Sequence, residues 1–401
     1  MNTPDKFTLL LPVFLVLFLA ECSSPEVKSK SEDDTRLQIG AERMTEYLPM
    51  LQEKAVGMVV NHTTVIGSTH LVDSLLSLNV NIKAIYAPEH GFRGNVERGK
   101  DIEDGIDTET GVQVFSIYGD SRKPSPAILE GIDIMIFDMQ DVGVRFFTYV
   151  STLHYVMEAC AENNIPLLIL DRPNPIGHLV DGPILNPEFR SFIGMHEVPI
   201  AHGMTLGEIG GMINGERWIK DGVQCDINVV KSTNYDHDTR FTFSVRASPN
   251  LPDMKSVYLY PSVCLFEGTV VSEGRGTYKP FQQFGAPWFT PKNHQYVPES
   301  IPVLALDPKF KGETCYGYDL SSKTIEELQA IDSVNISFLI EFYEKSGMGD
   351  EFFGGSFNRL AGNDILKSQI MSGLSEQEIR QSWQSGLDKF LEMRQKYLIY
   401  P

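Results

Sequence analysis

The chain has 401 residues, and its 34 lysines and arginines against 53 aspartates and glutamates give a formal net charge of −19. Hydrophobic residues make up 42% of the chain and charged residues 22%, which is typical of a folded globular protein. This composition excludes a generally disordered chain, a collagen-like repeat and a polytopic membrane protein. Because the chain is acidic and has no cluster of lysines and arginines, we do not expect it to bind nucleic acid.

The N-terminus is predicted to be a signal peptide (residues 1–22) followed by a flexible tether (residues 23–36). Residues 7–20 form an apolar run that is shorter than the roughly 20 residues of a membrane-spanning helix. Residues 19–22 (LAEC) resemble a bacterial lipobox, which predicts lipidation of Cys22. The protein is therefore expected to be exported, as a periplasmic protein or as a lipoprotein that meets the membrane only through its lipid anchor.

From residue 37 onward, apolar runs of strand length alternate with segments of helical spacing. The strand-like runs are residues 56–60, 80–87, 132–137 and 165–170. The helix-like segments are residues 71–78, 124–129 and 148–163. Strands that are covered on both faces are nearly continuous in apolar residues, and their alternation with helices predicts βαβ units. We therefore predict an α/β fold whose Rossmann-like, parallel-sheet catalytic domain spans residues 37–225.

The second half of the chain is predicted to be a smaller α/β or α+β domain over residues 226–401. Residues 231–262 are rich in Thr, Ser, Asn, Asp and Pro and are interpreted as a connecting region. Residues 325–343 and 376–397 have the spacing of amphipathic helices.

Several well-known site motifs are missing from the sequence. The four cysteines after the leader, Cys160, Cys225, Cys264 and Cys315, form no CxxC pair and predict no disulfide framework. Cys160 lies in a helical pattern and is interpreted as a small buried hydrophobic residue. No GxGxxG, GxxxxGK[ST], HExxH or GxSxG sequence is present. We therefore predict no cofactor.

Three predicted parallel strands each deliver a carboxylate at or just after their C-terminal ends. These carboxylates are Glu89, Asp138 and Asp171. Because ligands of open α/β sheets bind outside the carboxyl ends of the strands, we expect all three at one rim. Each could instead be a helix cap or a turn residue. Glu89, in the sequence PEHGFRG, is the hardest to explain in that way, because glutamate is a poor turn former.

Two further clusters carry polar residues among glycines. Residues 266–277 place Glu267, Glu273 and Arg275 in a loop that could approach a ligand or could be an ordinary surface loop. His202 precedes a capping box of Thr205 and Glu208, so Glu208 is interpreted as structural. A metal could be held by residues drawn from both regions, namely His90, Asp138, Asp171 and His202. These histidines lack ligand-like spacing, and we predict no catalytic metal.

Seven sequence motifs together resemble one protein family. They are NHTT (61–64), PEHGFRG (88–94), DMQDVGVRFFTY (138–149), DRPNP (171–175), FIGMHEVPIAHGMTLGE (192–208), SPNLP (248–252) and FEGTVVSEGRGTYKPFQQFGAPW (266–288). In this order they are similar to the exo-β-N-acetylmuramidases of the NamZ type, glycoside hydrolase family 171. The resemblance implies a Rossmann-like domain with a smaller C-terminal domain and an active site in the cleft between them. It also implies release of N-acetylmuramic acid (MurNAc) from the non-reducing ends of peptidoglycan fragments.

Glycoside hydrolysis normally needs two carboxyl groups, one of which donates a proton to the leaving oxygen. We predict Glu89 as that acid. Glu273 is the preferred partner, Glu267 and Asp138 are alternatives, and the 2-acetamido group of the sugar could also supply the nucleophile. The expected substrate-binding residues are His90, Arg93, Asp138, Asp141, Arg145, Tyr149, Asp171, Asn174, His202, Glu267 and Arg275.

An arginine is expected to bind the lactyl carboxylate, which distinguishes MurNAc from N-acetylglucosamine (GlcNAc). The candidates are Arg93, Arg145 and Arg275, and Arg93 is preferred because it lies in the strand-end loop. Two functions of other classes are also compatible with the residues. The protein could be a lipid-anchored binding protein for cell-wall sugars that performs no cleavage, or a metal-dependent phosphoesterase.

Overall fold

The computed structural model describes Met1 and residues 35–93, 103–243 and 245–401. The predicted signal peptide after Met1, Cys22, most of the tether and Gly94 lie outside the described residues. The internal contacts of the chain divide it into two compact units, Met1–Arg36 and Leu37–Pro401. The helices and strands given below belong to the second unit. In the described part of the chain, no helix combines the length and the apolar character needed to cross a membrane.

The strands of the described chain are numbered in sequence order. They are β1 (Val56–Val60), β2 (Val65–Ile66), β3 (Thr69–His70), β4 (Ile82–Ala87), β5 (Gly105–Ile106), β6 (Gln113–Ser116), β7 (Ile134–Asp138), β8 (Leu167–Leu170), β9 (Val180–Asp181), β10 (Ala201–His202), β11 (Ile227–Val230), β12 (Gln283–Ala286), β13 (Gln295–Tyr296) and β14 (Cys315–Asp319). The four strand-like runs of the sequence correspond to β1, β4, β7 and β8.

The α-helices are numbered in the same way. They are α1 (Met44–Leu51), α2 (Leu71–Ser77), α3 (Tyr149–Glu162), α4 (Leu206–Gly215), α5 (Met254–Val263), α6 (Ile325–Gln329), α7 (Ser337–Ser346), α8 (Phe357–Ala361), α9 (Ile365–Met371) and α10 (Glu376–Gln395). Short 3₁₀ helices cover Gly40–Glu42, Pro187–Phe189, Lys220–Gly222, Cys264–Gly268 and Gly349–Phe352.

A seven-stranded sheet with the order β11-β8-β7-β1-β4-β6-β5 organises the first part of the fold. Its neighbouring strands are parallel except β5, which is antiparallel to β6. Along the chain, the first three parallel strands run outward from β1 in one direction and the next three in the other. This is the Rossmann order, with its reversal between β1 and β7, and it confirms the predicted fold class.

Alternate residues of the central strands enter two hydrophobic layers. Met58 and Ile85 pack in the layer that contains α1 and α2. Val59 and Tyr86 pack on the opposite face with α3 and α4, and this second layer continues into the core of the C-terminal part. Because both faces are covered, these strands are apolar except for Lys83 in β4 and Asp138 at the end of β7, which is why the sequence pattern located them correctly.

The C-terminal part combines a small antiparallel sheet, β12-β14-β13, with helices α5 to α10. The two predicted domains met between residues 225 and 226, whereas β11 begins at residue 227 and pairs with β8 of the large sheet. The large sheet therefore includes residues on both sides of that point. All four cysteines after the leader are buried and free of disulfides, and Cys160 lies in α3 as predicted.

Three local predictions were wrong. Residues 124–129 form turns rather than a helix, because Pro124 and Pro126 remove backbone donors. Residues 325–343 are interrupted between α6 and α7, where the Asn335 side chain accepts a hydrogen bond from the Ser337 backbone at 2.9 Å. The connecting region contains α5, whose N-terminus is capped by Asp253 through a 3.0 Å bond from the Ser256 backbone.

Candidate active site

A cleft of about 290 Å³ lies beside the C-terminal ends of the central strands. Its wall combines residues that follow β4 and β7 with residues of the C-terminal part of the chain. The charged side chains of this lining are Glu89, Arg122, Arg275 and Arg359, and the side chains of His90 and Tyr118 also line it. This position, beside the point where the strand order reverses, is where open α/β sheets bind their ligands.

Glu89 is held in the cleft wall by two hydroxyl groups. Tyr118 donates its hydroxyl proton to Oε1 at 2.8 Å, and Thr148 donates to Oε2 at 2.8 Å. The carboxylate is 6% exposed and forms no ion pair with the described residues. His90, which follows it, adopts a left-handed φ of 73°, so the chain turns sharply away from β4 and leaves Glu89 at the cleft. A carboxyl group held in this way can exchange a proton with a bound molecule.

Tyr149, an expected substrate-binding residue, also lines the cleft. Its hydroxyl accepts a 2.7 Å hydrogen bond from the Asn61 side chain, which follows β1. Burial, with a smaller contribution from the charge of Glu89, raises the pKa of Tyr149 well above its usual value. Tyr149 therefore stays neutral, and the residues after β1, β4 and β7 meet at one site.

Asp138 and Asp171 have partners inside the protein and are absent from the cleft lining. Asp138 is fully buried and paired with the Arg172 guanidinium, whose Nη2 donates to Oδ2 at 2.9 Å. Asp171 accepts hydrogen bonds from the Thr205 hydroxyl at 2.7 Å and the Tyr400 hydroxyl at 2.7 Å. A third bond comes from the Gly207 backbone at 2.8 Å, so Asp171 stabilises the first turn of α4. These contacts give both aspartates structural roles.

Three more of the expected substrate-binding residues are buried away from the cleft lining. Asp141 Oδ1 accepts from the Gly143 backbone at 2.7 Å, and burial raises the pKa of Asp141 to about 7. The Asn174 side chain donates to the Met204 carbonyl at 3.0 Å. Burial lowers the pKa of His202 to about 3, so its imidazole is neutral. These residues fix the loops around the strand ends.

Arg93 and Arg145, two of the three candidates for the lactyl carboxylate, already have other partners. Arg93 Nη2 donates to Asp107 at 2.8 Å, and its guanidinium lies 4.3 Å above the Phe92 ring. Arg145 is buried and has no carboxylate partner among the described residues, and burial lowers its pKa to about 9. Its guanidinium donates to the carbonyls of residues 183, 198, 360 and 361 at 2.7–3.0 Å. Arg145 thus connects two distant segments of the chain.

The acidic loop of the C-terminal part comes together around Arg275. Arg275 lines the cleft, and its Nη2 donates to Glu267 at 2.7 Å. Its Nε lies 3.3 Å from Glu273, whose other oxygen accepts from Lys309 at 3.1 Å. Glu273 is buried, and neither it nor Glu267 belongs to the cleft lining. The two carboxylates hold Arg275 against the cleft, and the predicted catalytic role of Glu273 remains a prediction.

Several polar residues of the site were not selected from the sequence, and four of them contact Glu89 or add charge to the cleft. Tyr118 and Thr148 donate to Glu89, and Arg122 and Arg359 line the cleft without an ion pair to any described residue. Thr148 lies in a quoted motif, next to Tyr149, which was a usable signal. Arg359 comes from α8, far along the chain, and no sequence pattern connects it with the strand ends.

Comparison with known proteins gives a consistent result over the whole fold. A family model described as "Exo-beta-N-acetylmuramidase NamZ, N-terminal" matches residues 56–255, and its C-terminal counterpart matches residues 258–400. The peptidoglycan beta-N-acetylmuramidase NamZ of Bacillus subtilis (strain 168) is 37% identical over 401 residues, covering 95% of each protein.

Two solved structures are also similar. A DUF1343 family protein from Bacteroides fragilis NCTC 9343 matches with a TM-score of 0.85 and 45% identity, covering 91% of this chain and 99% of that one. A second DUF1343 family protein from the same strain matches with a TM-score of 0.76 and 28% identity, covering 92% and 100% respectively.

Proposed function

The chain belongs to the exo-beta-N-acetylmuramidase NamZ family, and we propose that Glu89 is the general acid of its cleft. The protein is a glycoside hydrolase that releases MurNAc from the non-reducing ends of peptidoglycan fragments. The observation that carries the assignment is the position of Glu89, a carboxylate in the cleft wall that is held by two hydroxyl donors and forms no ion pair within the described residues. A carboxyl group at this position lies where a proton can pass to the leaving oxygen of a bound glycoside.

The second catalytic group acts at the anomeric carbon. Glu273 is engaged with Arg275 and Lys309, and among the described cleft residues Glu89 is the one carboxylate. We therefore propose that the 2-acetamido oxygen of MurNAc attacks the anomeric carbon while Glu89 protonates the leaving oxygen. Water then attacks the anomeric carbon of the resulting oxazolinium ion and breaks its bond to the acetamido oxygen, and the proton that this water loses restores the acid form of Glu89. An N-deacetylated substrate should be cleaved at least about 10²-fold more slowly. An unchanged rate would indicate that a protein carboxylate is the nucleophile.

The metal phosphoesterase alternative requires several ligands at one point. Within the described ranges, no group of three or more His, Cys, Asp or Glu side chains is arranged to hold a metal ion. Asp138 is paired with Arg172, and Asp171 holds the start of α4. The residues first considered as metal ligands therefore do not converge, which favours hydrolysis by acid catalysis.

We further propose that the protein is exported and anchored through lipid on Cys22. The support is the leader sequence itself, with its apolar run and lipobox-like residues 19–22. Expression of the full chain in a bacterium should place it in the membrane fraction with a lipid-modified N-terminal cysteine, and Cys22→Ala should prevent this. A cytoplasmic protein that retains residues 1–22 would contradict the proposal.

One incubation tests the enzymatic function. The purified protein is incubated with the MurNAc–GlcNAc disaccharide, with and without a metal chelator, and the products are measured by mass spectrometry. We expect free MurNAc and GlcNAc in equal amounts under both conditions. A melting temperature that rises with the disaccharide while no sugar is released would identify a binding protein. Loss of cleavage with the chelator would indicate metal-dependent hydrolysis.

A further inference from the structure

A second cavity of about 560 Å³ adjoins the catalytic cleft. The two cavities share Arg122, Ser191 and Phe192 as a common wall. Arg122 lies 4.4 Å above the Phe192 ring, so a cation and an aromatic ring stand together at the passage between them. A molecule that is longer than one sugar could occupy both cavities.

The position of the acid indicates which part of the substrate points toward this second cavity. Tyr118, which donates to Glu89, packs against Phe192 with 5.9 Å between ring centroids. The general acid of a glycosidase must lie beside the leaving oxygen, on the side of the departing sugar chain. Because Glu89 and Tyr118 border the shared wall, the chain that leaves is directed into the second cavity.

Aromatic rings give the second cavity surfaces that suit sugar rings. His196 stacks on Trp218 at 4.7 Å with an interplanar angle of 12°, and Tyr155 stacks with Phe192 at 6.4 Å. His196 is 3% exposed, and its Nε2 has no hydrogen-bond partner among the described residues. Burial keeps the pKa of His196 well below its usual value, so the ring is neutral. The stacked His196 and Trp218 rings therefore form an uncharged aromatic part of the cavity wall.

The charge of the second cavity is opposite to that of the whole chain. Three arginines line it, Arg122, Arg190 and Arg217, in a protein whose formal net charge is −19. The cavity's carboxylate, Glu158, is paired with Lys123 at 2.8 Å and lies 3.5 Å from His154.

One of these three arginines forms an ion pair with a described residue, and the other two are available to a ligand. Arg190 pairs with Glu197 at 2.9 Å. Arg122 and Arg217 form no ion pair with the described residues, and Arg217 donates to the Gly222 carbonyl at 3.2 Å. Two guanidinium groups can therefore receive a carboxylate.

We propose that this cavity binds the leaving part of a glycan strand and recognises the lactyl carboxylate of its next MurNAc unit. The inference rests on the proposed muramidase function. A strand that alternates MurNAc and GlcNAc presents a neutral GlcNAc after the cleaved bond and then a MurNAc with a carboxylate on its lactyl arm. The aromatic faces accommodate the sugar rings, and Arg217, which forms no ion pair with the described residues, binds the carboxylate.

The experiment compares the MurNAc–GlcNAc disaccharide with the tetrasaccharide that contains two such units. We expect the wild-type KM for the tetrasaccharide to be about tenfold lower, with similar kcat. Arg217→Gln should remove most of this difference and leave hydrolysis of the disaccharide unchanged. Arg190→Gln, which removes a guanidinium already paired with Glu197, should retain most of the difference. Lys220→Gln removes an exposed charge outside the cavity and should retain the wild-type preference.

A second tetrasaccharide identifies the recognised group. In it the carboxylate of the inner lactyl arm is converted to a neutral methylamide, and its KM should return to that of the disaccharide. Equal KM values for the disaccharide and the unmodified tetrasaccharide in the wild type would overturn the inference. An equal effect of Arg217→Gln on both substrates would also overturn it. If the wild type cleaves neither substrate, the proposed function fails and the inference fails with it.

Discussion

Glu89 and Asp171 both follow parallel strands of the same sheet, yet the structure uses them differently. Glu89 lines the cleft and receives two hydroxyl donors. Asp171 is enclosed by Thr205, the start of α4 and Tyr400, and burial raises its pKa to about 6. The sheet topology brings carboxylates to one edge, but partners from later in the chain decide which of them remains available for chemistry.

The largest expected effect is the loss of catalysis in Glu89→Gln. Glutamine has the same shape and can still accept a hydrogen bond from Tyr118 or Thr148, but it cannot donate a proton to the leaving oxygen. We expect kcat on the disaccharide to fall about 10²- to 10⁴-fold, with an unfolding midpoint close to that of the wild type. Steady-state kinetics and urea unfolding measure the two quantities. A variant with near-wild-type kcat would show that Glu89 is not the general acid.

Asp138→Ala should show the opposite behaviour. The substitution leaves the Arg172 guanidinium buried without its carboxylate, which should cost about 3–5 kcal/mol of stability. Because Asp138 is absent from the cleft lining, kcat per folded molecule should stay within about a factor of three. Urea unfolding gives the stability, and kinetics corrected for the folded fraction give kcat. A stable but inactive variant would assign Asp138 to the reaction.

The burial of Asp141 can be tested through the pH dependence of the protein's stability. Its pKa is about 7 in the folded protein, above the roughly 3.9 of an unfolded chain. A carboxyl group whose pKa rises on folding gives stability that is fully present below about pH 4 and is lost as pH rises through 7. Relative to the wild type, Asp141→Asn should therefore gain about 2–4 kcal/mol between about pH 4 and pH 8. A stability difference that is independent of pH would contradict this assignment.

The smallest predicted effect concerns selection between MurNAc and GlcNAc. Arg359 lines the cleft and forms no ion pair with the described residues, so it is available to the lactyl carboxylate. Arg359→Ala should raise KM for MurNAc glycosides about tenfold and change GlcNAc glycosides less than about twofold. Arg93→Ala is the matched control, because Arg93 is paired with Asp107 outside the cleft lining. Equal slowing of both glycosides by Arg359→Ala would refute the recognition.

The large sheet could be predicted because each of its central strands is covered on both faces. Val56–Val60 and Leu167–Leu170 therefore contain no polar side chain, a pattern that identifies them without knowledge of their partners. The interruption between α6 and α7 could not be predicted in the same way. Residues 325–343 keep their helical spacing, and the break depends on turn contacts of Asn335.

Residues of the site could be predicted where they lie in a sequence motif, as Glu89, Tyr149 and Arg275 do. Glu89 could be selected from PEHGFRG because it combines a strand end with a residue type that rarely forms turns. Arg145 could not be distinguished from a ligand-binding arginine, since its carbonyl partners lie at residues 183, 198, 360 and 361. Likewise, Arg359 reaches the cleft only through the tertiary packing of α8.

The most direct test of Glu89 as the general acid is how strongly the loss of rate in Glu89→Gln depends on the leaving group. An aryl MurNAc glycoside with a good leaving group needs little protonation, whereas the MurNAc–GlcNAc disaccharide needs a proton at its leaving oxygen. The kcat/KM of wild type and Glu89→Gln is measured on both substrates. If Glu89 is the general acid, the variant loses at least about 10²-fold on the disaccharide and less than about tenfold on the aryl glycoside. An equal loss on both substrates, or a loss on neither, would contradict the central claim.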